Sequence, residues 1–314
     1  MVPELGKLKK VPLRDIWETE DRHFTPWLAQ ENNIEILGKE IGIDIEVEAT
    51  EKQVGPFRAD ILCKDTVNGK WVLIENQLEP TDHKHLGQLL TYATGLDAVT
   101  IIWIAEQFSE EHRATLDWLN NITDETLNFF GIEIELWKIG DSPSAPRFRI
   151  VSKPNDWIKS MKSAARTMGT KNLTKTKLLQ FEFWKGFHSY LSQNSDISPR
   201  SPRAQHWMDL GLGRTGTWHR LTMNTRDKWV SSGVTIKTEN RLELYHQLHD
   251  EKETIESELG FELDWWELAD KKESYIGINH LCDTKDESKW PEMYIWLTET
   301  LEEMHKVFNP RVKK

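Results

Sequence analysis

The stretch 54–96, VGPFRADILCKDTVNGKWVLIENQLEPTDHKHLGQLLTYATGL, leaves few folds open to the chain. Residues 57–64 read as a strand with Arg58 and Asp60 on one face and Phe57, Ala59 and Ile61 on the other. Asn68-Gly69 suits the positive φ of a tight hairpin turn. Residues 71–77 read as the returning strand, whose period of two puts Glu75 and Gln77 on the same side. Closing the hairpin brings Asp60 and Glu75 toward one point. Two carboxylates held together at the end of an apolar hairpin repel unless a divalent cation lies between them. Hard oxygen ligands of this kind suit Mg²⁺ or Mn²⁺ better than zinc.

The following helix carries His85, Gln88 and Tyr92 at i, i+3 and i+7, which makes one polar stripe. Leu86, Leu89, Leu90 and Ala93 supply the apolar stripes that pack it on a sheet. A polar stripe beside a carboxylate pair is what a phosphate diester needs to be steered toward a metal. His83, two residues from His85, faces another side of the helix and reads as an ordinary structural histidine.

These residues resemble the core of the PD-(D/E)XK nuclease superfamily. Asp60 matches its first Asp, Glu75-Asn76-Gln77 its E-x-K, and Gln88-Leu-Leu-Thr-Tyr92 the QxxxY signature of the RecB-like branch. The resemblance covers roughly residues 12–150 and implies a restriction-endonuclease-like α/β fold, a mixed sheet flanked by helices. It implies metal-dependent hydrolysis of phosphodiesters in nucleic acid, DNA ahead of RNA, with a role in defence against foreign DNA by analogy. Asp60, Glu75 and the carbonyl of Asn76 would then hold Mg²⁺ or Mn²⁺, and Gln77 would position the attacking water. Gln88, Tyr92 and His85 would contact substrate or support the ligands. The superfamily also takes a glutamate from an N-terminal helix, for which Glu20 and Glu31 are the candidates.

One position departs from that pattern. Gln77 stands where the superfamily has Lys, and glutamine can hydrogen-bond water but carries no charge and cannot act as a base. His85 or Lys84 could supply part of the missing function. The competing reading is a catalytically inactive nuclease-fold module that binds nucleic acid or a protein partner. A homodimer would suit an enzyme that cuts both strands.

Net charge is −11 over 314 residues, which by itself disfavours nucleic acid. Its distribution qualifies that: residues 1–137 hold 12 Lys and Arg against 26 Asp and Glu, whereas residues 138–185 hold 11 against 3. The basic stretch could hold a phosphate backbone or be a solvated linker. Two cysteines, Cys63 and Cys282, are too few for a disulfide framework. No apolar run could span a membrane, and 1–17 lacks the apolar core of a signal peptide, so the expected compartment is the cytoplasm.

The expected organisation is a nuclease-like domain at 1–150, a basic linker and helix at 151–203, and an α+β domain at 204–314. In the first, helix 27–40 with Thr25 as N-cap precedes strand 43–54, the hairpin, the polar-striped helix, strand 98–105, helix 109–120 and strand 129–139. In the last, strands at 218–224 and 229–237 precede one helix at 242–259, strands at 261–268 and 274–279, and a final helix from Pro291. The runs QHWMDLGLGRTGTWHRLTMNTRD, ESELGFELDWWELADKKES, WPEMYIWL and FNPR resemble a family called domain of unknown function 4268, a name that implies no mechanism. Fifteen tryptophans are mostly core material. Trp265 and Trp266 must face opposite sides of their strand, and Arg214, Arg220 and Arg226 form a candidate second basic surface.

Overall fold

A computed structural model describes residues 5–54, 57–95, 99–123, 127–155, 174–268 and 271–313. Much of the basic stretch, 156–173, lies outside the described residues. The chain divides into two compact units. One comprises Met1–Ile41, Val47–Lys64 and Lys70–Asn155; the other comprises Gly42–Glu46, Asp65–Gly69 and Asp156–Lys314.

The first unit is a mixed sheet flanked by helices. Its strands are β1 (Leu8–Val11), β2 (Ile45–Val54), β3 (Phe57–Asp65), β4 (Trp71–Asn76), β5 (Val99–Ala105), β6 (Leu127–Ile139) and β7 (Ala145–Ser152). They run in the order β1-β6-β5-β4-β3-β2, with β7 on the other edge of β6. Strands β4, β5 and β6 are parallel, and β3 is antiparallel to β4. The apolar run in β5 predicts a strand covered on both faces, and Ile101 to Ala105 are each at most 1% exposed. Parallel neighbours require crossover helices. Here these are α3 (His83–Gly95) and α4 (Glu110–Ile122). Leu89 and Tyr92 of α3 and Leu116 and Leu119 of α4 share one core with Leu73, Ile101, Trp103 and Phe129. Ser109 caps α4 by accepting from the His112 N–H.

The N-terminal helix departs from expectation. Helical turns begin at Glu20, where Thr19 accepts from the Arg22 N–H, and run into α1 (Thr25–Leu28) and α2 (Glu31–Ile41). Thr25 is not the cap; its hydroxyl donates to Asn76 Oδ1 at 3.2 Å instead. Strand β1 has no expected counterpart, because LKKV shows no alternation and is held in place by its register with residues 136–139 of β6.

The second unit holds an antiparallel sheet, β8 (Trp207–Gly211), β9 (Thr217–Asn224), β10 (Trp229–Ile236), β11 (Asp264–Trp266) and β12 (Ser274–Leu281), ordered β11-β12-β10-β9-β8. Helix α5 (Lys175–Asn194) buries Phe183, Trp184, Phe187 and Leu191 against Met208, Leu221 and Val230 of the sheet and against Leu297 and Leu301 of α8 (Trp290–Val312). The single helix expected at 242–259 is two, α6 (Arg241–Asp250) and α7 (Lys252–Leu259), broken at Glu251. Gly260 ends the second at φ +77°, a conformation glycine adopts without strain. The strand expected at 261–268 shrinks to β11. Among the described residues no helix is long and apolar enough to cross a membrane.

Candidate active site

The hairpin forms as its sequence demands. Gly69 sits at φ +68° and its N–H reaches the Asp65 carbonyl, closing the turn. The ladder runs from Lys64–Trp71 to Ile61–Ile74. One residue further the pattern changes: the Asn76 N–H donates to Asp60 Oδ2 at 2.8 Å. A side-chain carboxylate thus takes a ladder N–H, and the site lies where the hairpin opens.

Asp60 and Glu75 meet there, as the period of two requires. Glu75 is 3% exposed, and burial pushes its carboxyl far above the usual carboxylate range, with the charge of Asp60 adding to the rise. Burial raises Asp60 as well, against the Asn76 N–H, which favours its charged form. The charges of Glu51 and Glu20 raise it further. On this face, among the described residues, two buried oxygens have no hydrogen-bond partner, Glu75 Oε2 and Gln88 Oε1, while the Asn76 side chain turns to the opposite face, where it meets Thr25. Both are acceptors that the described residues leave unmatched.

The polar stripe of α3 is real. The Tyr92 hydroxyl donates to the Arg58 carbonyl at 3.0 Å, tying the helix to β3 beside Asp60. Gln88 hydrogen-bonds to that hydroxyl. Burial pushes the phenol up, and the charges of Glu75 and Asp60 both reach it. Lys84, on the same helix, offsets part of the charge felt by Glu75.

Gln77 is held elsewhere. Its Oε1 accepts from the Trp103 indole at 2.9 Å, and its Nε2 donates to the Pro80 carbonyl at 2.7 Å. At 4% exposure and with both ends engaged, this carboxamide locks the loop after β4 and is not offered to a water at the carboxylate pair. The expectation that it positions water therefore has no support in its hydrogen bonding.

Glu20, not Glu31, lies close to the pair. Its Oε1 accepts from the Leu78 N–H and from Arg14, each at 2.9 Å. Burial works to raise its carboxyl, but these donors together hold it below the usual range. Glu31 stands exposed in the first turn of α2. His83 meets His112 at 2.9 Å and has a structural partner. His85 contacts Asp82 through Nδ1 at 2.7 Å.

Three contributors were not read from the sequence: Thr25 on Asn76, Glu51 as a third nearby charge, and Trp103 as the partner of Gln77. Only Glu51, a non-glycine residue at φ +53° that pairs with Arg58 at 2.8 Å, lies close in sequence to the site.

Hard-cation chemistry suits the two carboxylates and the orphaned Glu75 oxygen. Among the described residues no three His, Cys, Asp or Glu side chains are grouped to hold a metal ion. Two protein carboxylates with the remaining positions left to water and substrate is a coordination that Mg²⁺ commonly takes. Of the candidate basic surface in the second unit, Arg220 is neutralised by carboxylates, whereas Arg226 stands exposed, 3.8 Å from the exposed Asp227. Arg220 pairs with Asp209 at 2.8 Å and with Glu273, and Arg214 donates to the Val312 carbonyl. Trp266 is the exposed member of its pair at 46%, while the Trp265 indole donates to Glu256.

Residues 179–312 match a family described as a domain of unknown function (DUF4268). No curated protein matches the chain. Three solved structures do, each over about a third of the chain. An EndoMS–dsDNA complex matches at 22% identity, covering 33% of this chain and 45% of that one, TM-score 0.25. A repair endonuclease from Pyrococcus abyssi matches at 21% identity over 33% and 47%, TM-score 0.26. SfsA from Pyrococcus furiosus, in complex with Ca²⁺, matches at 13% identity over 35% and 55%, TM-score 0.20. The chain spans about half the length of these structures, and TM-scores this low carry no functional weight; the geometry of Asp60 and Glu75 has to do so.

Proposed function

We propose that this protein is a metal-dependent nuclease that hydrolyses phosphodiester bonds in DNA, with Asp60 and Glu75 at its centre. The observation that carries the reading is the buried Glu75 carboxylate, whose Oε2 has no partner among the described residues, beside the half-buried carboxylate of Asp60 at the mouth of the hairpin. Burying an unpaired charge costs several kcal/mol, and such sites usually neutralise or bind a cation. Asp60 and Glu75, with the Asn76 carbonyl, would hold Mg²⁺ or Mn²⁺, which when bound supplies Lewis acidity toward the scissile phosphate. The chain's own residues orient the rest. The Asn76 N–H fixes Asp60, Thr25 fixes the Asn76 side chain, and Tyr92 with Gln88 aligns α3 beside the pair.

The second reading, a binding module without catalysis, draws on the capture of Gln77 by Trp103 and Pro80. Cleavage of supercoiled, linear and single-stranded DNA with Mg²⁺ or Mn²⁺ separates the two. Wild type should cut, and Asp60→Ala and Glu75→Ala should each lose at least about 10³-fold in rate together with Mn²⁺ binding. A wild type that neither cuts nor binds Mn²⁺ leaves the binding module standing.

A further inference from the structure

A hydrolytic site whose usual lysine position is taken by a captured glutamine still has to place a proton acceptor near the attacking water. We propose that His85, oriented by Asp82, is that acceptor, an inference that rests on the nuclease reading above.

The geometry is that of a carboxylate–imidazole dyad. Asp82 uses its two oxygens differently. Oδ1 accepts the His85 backbone N–H at 2.9 Å and so caps the start of α3, while Oδ2 lies 2.7 Å from His85 Nδ1. Capping alone would need only the first contact. The second fixes the ring: with Nδ1 donating to the carboxylate, the lone pair is on Nε2. Nε2 has no hydrogen-bond partner among the described residues. The side chain is 22% exposed, so the nitrogen is open to water while the ring is held.

The dyad also stands on the correct side of the helix. His85, Gln88 and Tyr92 form one stripe of α3, and the Tyr92 end of that stripe feels the charges of both Glu75 and Asp60. From the strand side, Gln77, two residues beyond Glu75, turns its Nε2 toward the same loop, where it donates to the Pro80 carbonyl and lies 3.5 Å from Asp82 Oδ2. Gln77 therefore supports the loop that carries Asp82, and Trp103 holds Gln77. The residue at the lysine position positions the dyad in place of acting itself.

In the step this implies, a lone pair of the attacking water forms the new bond to phosphorus as a proton of that water passes to His85 Nε2. The P–O bond on the far side breaks with its pair on the leaving oxygen, which solvent protonates. The imidazolium returns its proton to solvent, and no oxidant or further reactant is required.

The test uses the full chain, with DNA cleavage and Mn²⁺ binding measured side by side. His85→Ala should lower kcat by about 10²–10³-fold and leave Mn²⁺ affinity within about 2-fold of wild type, whereas Asp60→Ala loses both. Added imidazole should restore part of the His85→Ala rate, which a merely structural residue would not allow. Asp82→Asn, which keeps shape and cap, should lower kcat by at least about 10-fold. Its ¹⁵N spectrum should show the proton of the ring moved away from Nδ1. If His85→Ala cuts within about 3-fold of wild type, or imidazole fails to raise its rate, His85 is not the acceptor and the nuclease reading survives. If wild type itself neither cuts nor binds Mn²⁺, the nuclease reading falls and this inference falls with it.

Discussion

Two carboxylates of one hairpin are buried alike and treated in opposite ways. Asp65, at the turn, is 4% exposed; Glu75, at the open end of β4, is 3% exposed. Asp65 accepts four hydrogen bonds. Two come from the Arg200 guanidinium at 2.8 and 2.6 Å, one from the Val67 N–H and one from the Asn68 side chain. Glu75 keeps an oxygen with none and has another carboxylate for a neighbour. A buried charge that the chain neutralises itself strengthens the fold, and one that it leaves open weakens the fold unless something else neutralises it. Asp209 in the second unit repeats the first solution: burial raises its carboxyl, and Arg220 opposes that with two contacts of 2.8 and 3.0 Å.

The same carboxylate-to-amide change should therefore have opposite signs at the two positions. Asp65→Asn strips the counter-charge from the half-buried Arg200 and should cost about 3 kcal/mol of folding stability, read from urea unfolding. A cost under about 1 kcal/mol would mean that the Arg200 pairing is worth no more than an exposed one.

Glu75→Gln should go the other way. Removing an unpaired buried charge should stabilise the metal-free protein by about 1–2 kcal/mol, or raise Tm by roughly 2–6 °C for a chain of this size. Mn²⁺ should raise the Tm of wild type and not that of the variant, because only a protein with a site gains stability by binding. A Glu75→Gln protein less stable than wild type in EDTA would show that the carboxylate is satisfied in a way the geometry does not reveal, and the comparison with Asp65 would collapse.

That the pair at Asp60 and Glu75 could be read from the chain, while its surroundings could not, has a physical cause. The turn at Asn68-Gly69 and a period of two are local, and they fix which side chains meet across a hairpin. The spacing of His85, Gln88 and Tyr92 is equally local, so α3 and its stripe were legible. Gln77 was not, because its partner Trp103 lies on β5 and arrives through the parallel register that sets Trp103 beside Glu75. Thr25 looked like a cap because nothing nearby reveals that Asn76 competes for its hydroxyl. Asp65 read only as a turn residue, since Arg200 is far along the chain. The break at Glu251 is a different failure: the apolar stripe of 242–259 continues across it, so periodicity carries no sign of the interruption.

His219 extends the comparison to a group that escapes charge altogether. It lies on β9, fully buried, with neither ring nitrogen hydrogen-bonded and the ring of His305 centred 5.3 Å away. Burial, with the charge of His305 adding to it, holds its pKa well below the ordinary value. The folded protein thus keeps this imidazole neutral at a pH where the unfolded chain, with a pKa of about 6.5, takes up a proton. Stability from this group is complete above that value and is lost as pH falls below it, by up to about 1.4 kcal/mol per pH unit. The carboxylate pair has the opposite slope, since raised folded pKa values cost the metal-free fold stability as pH climbs from about 4 upward. Urea unfolding in EDTA at pH 7.5 and 5.5 should show wild type losing about 1 kcal/mol more than His219→Leu on acidification, whereas Glu75→Gln should differ from wild type mainly at the higher pH. Parallel pH curves for wild type and His219→Leu would mean that the ring takes up its proton in the fold as readily as in the unfolded chain, so that burial does not keep it neutral.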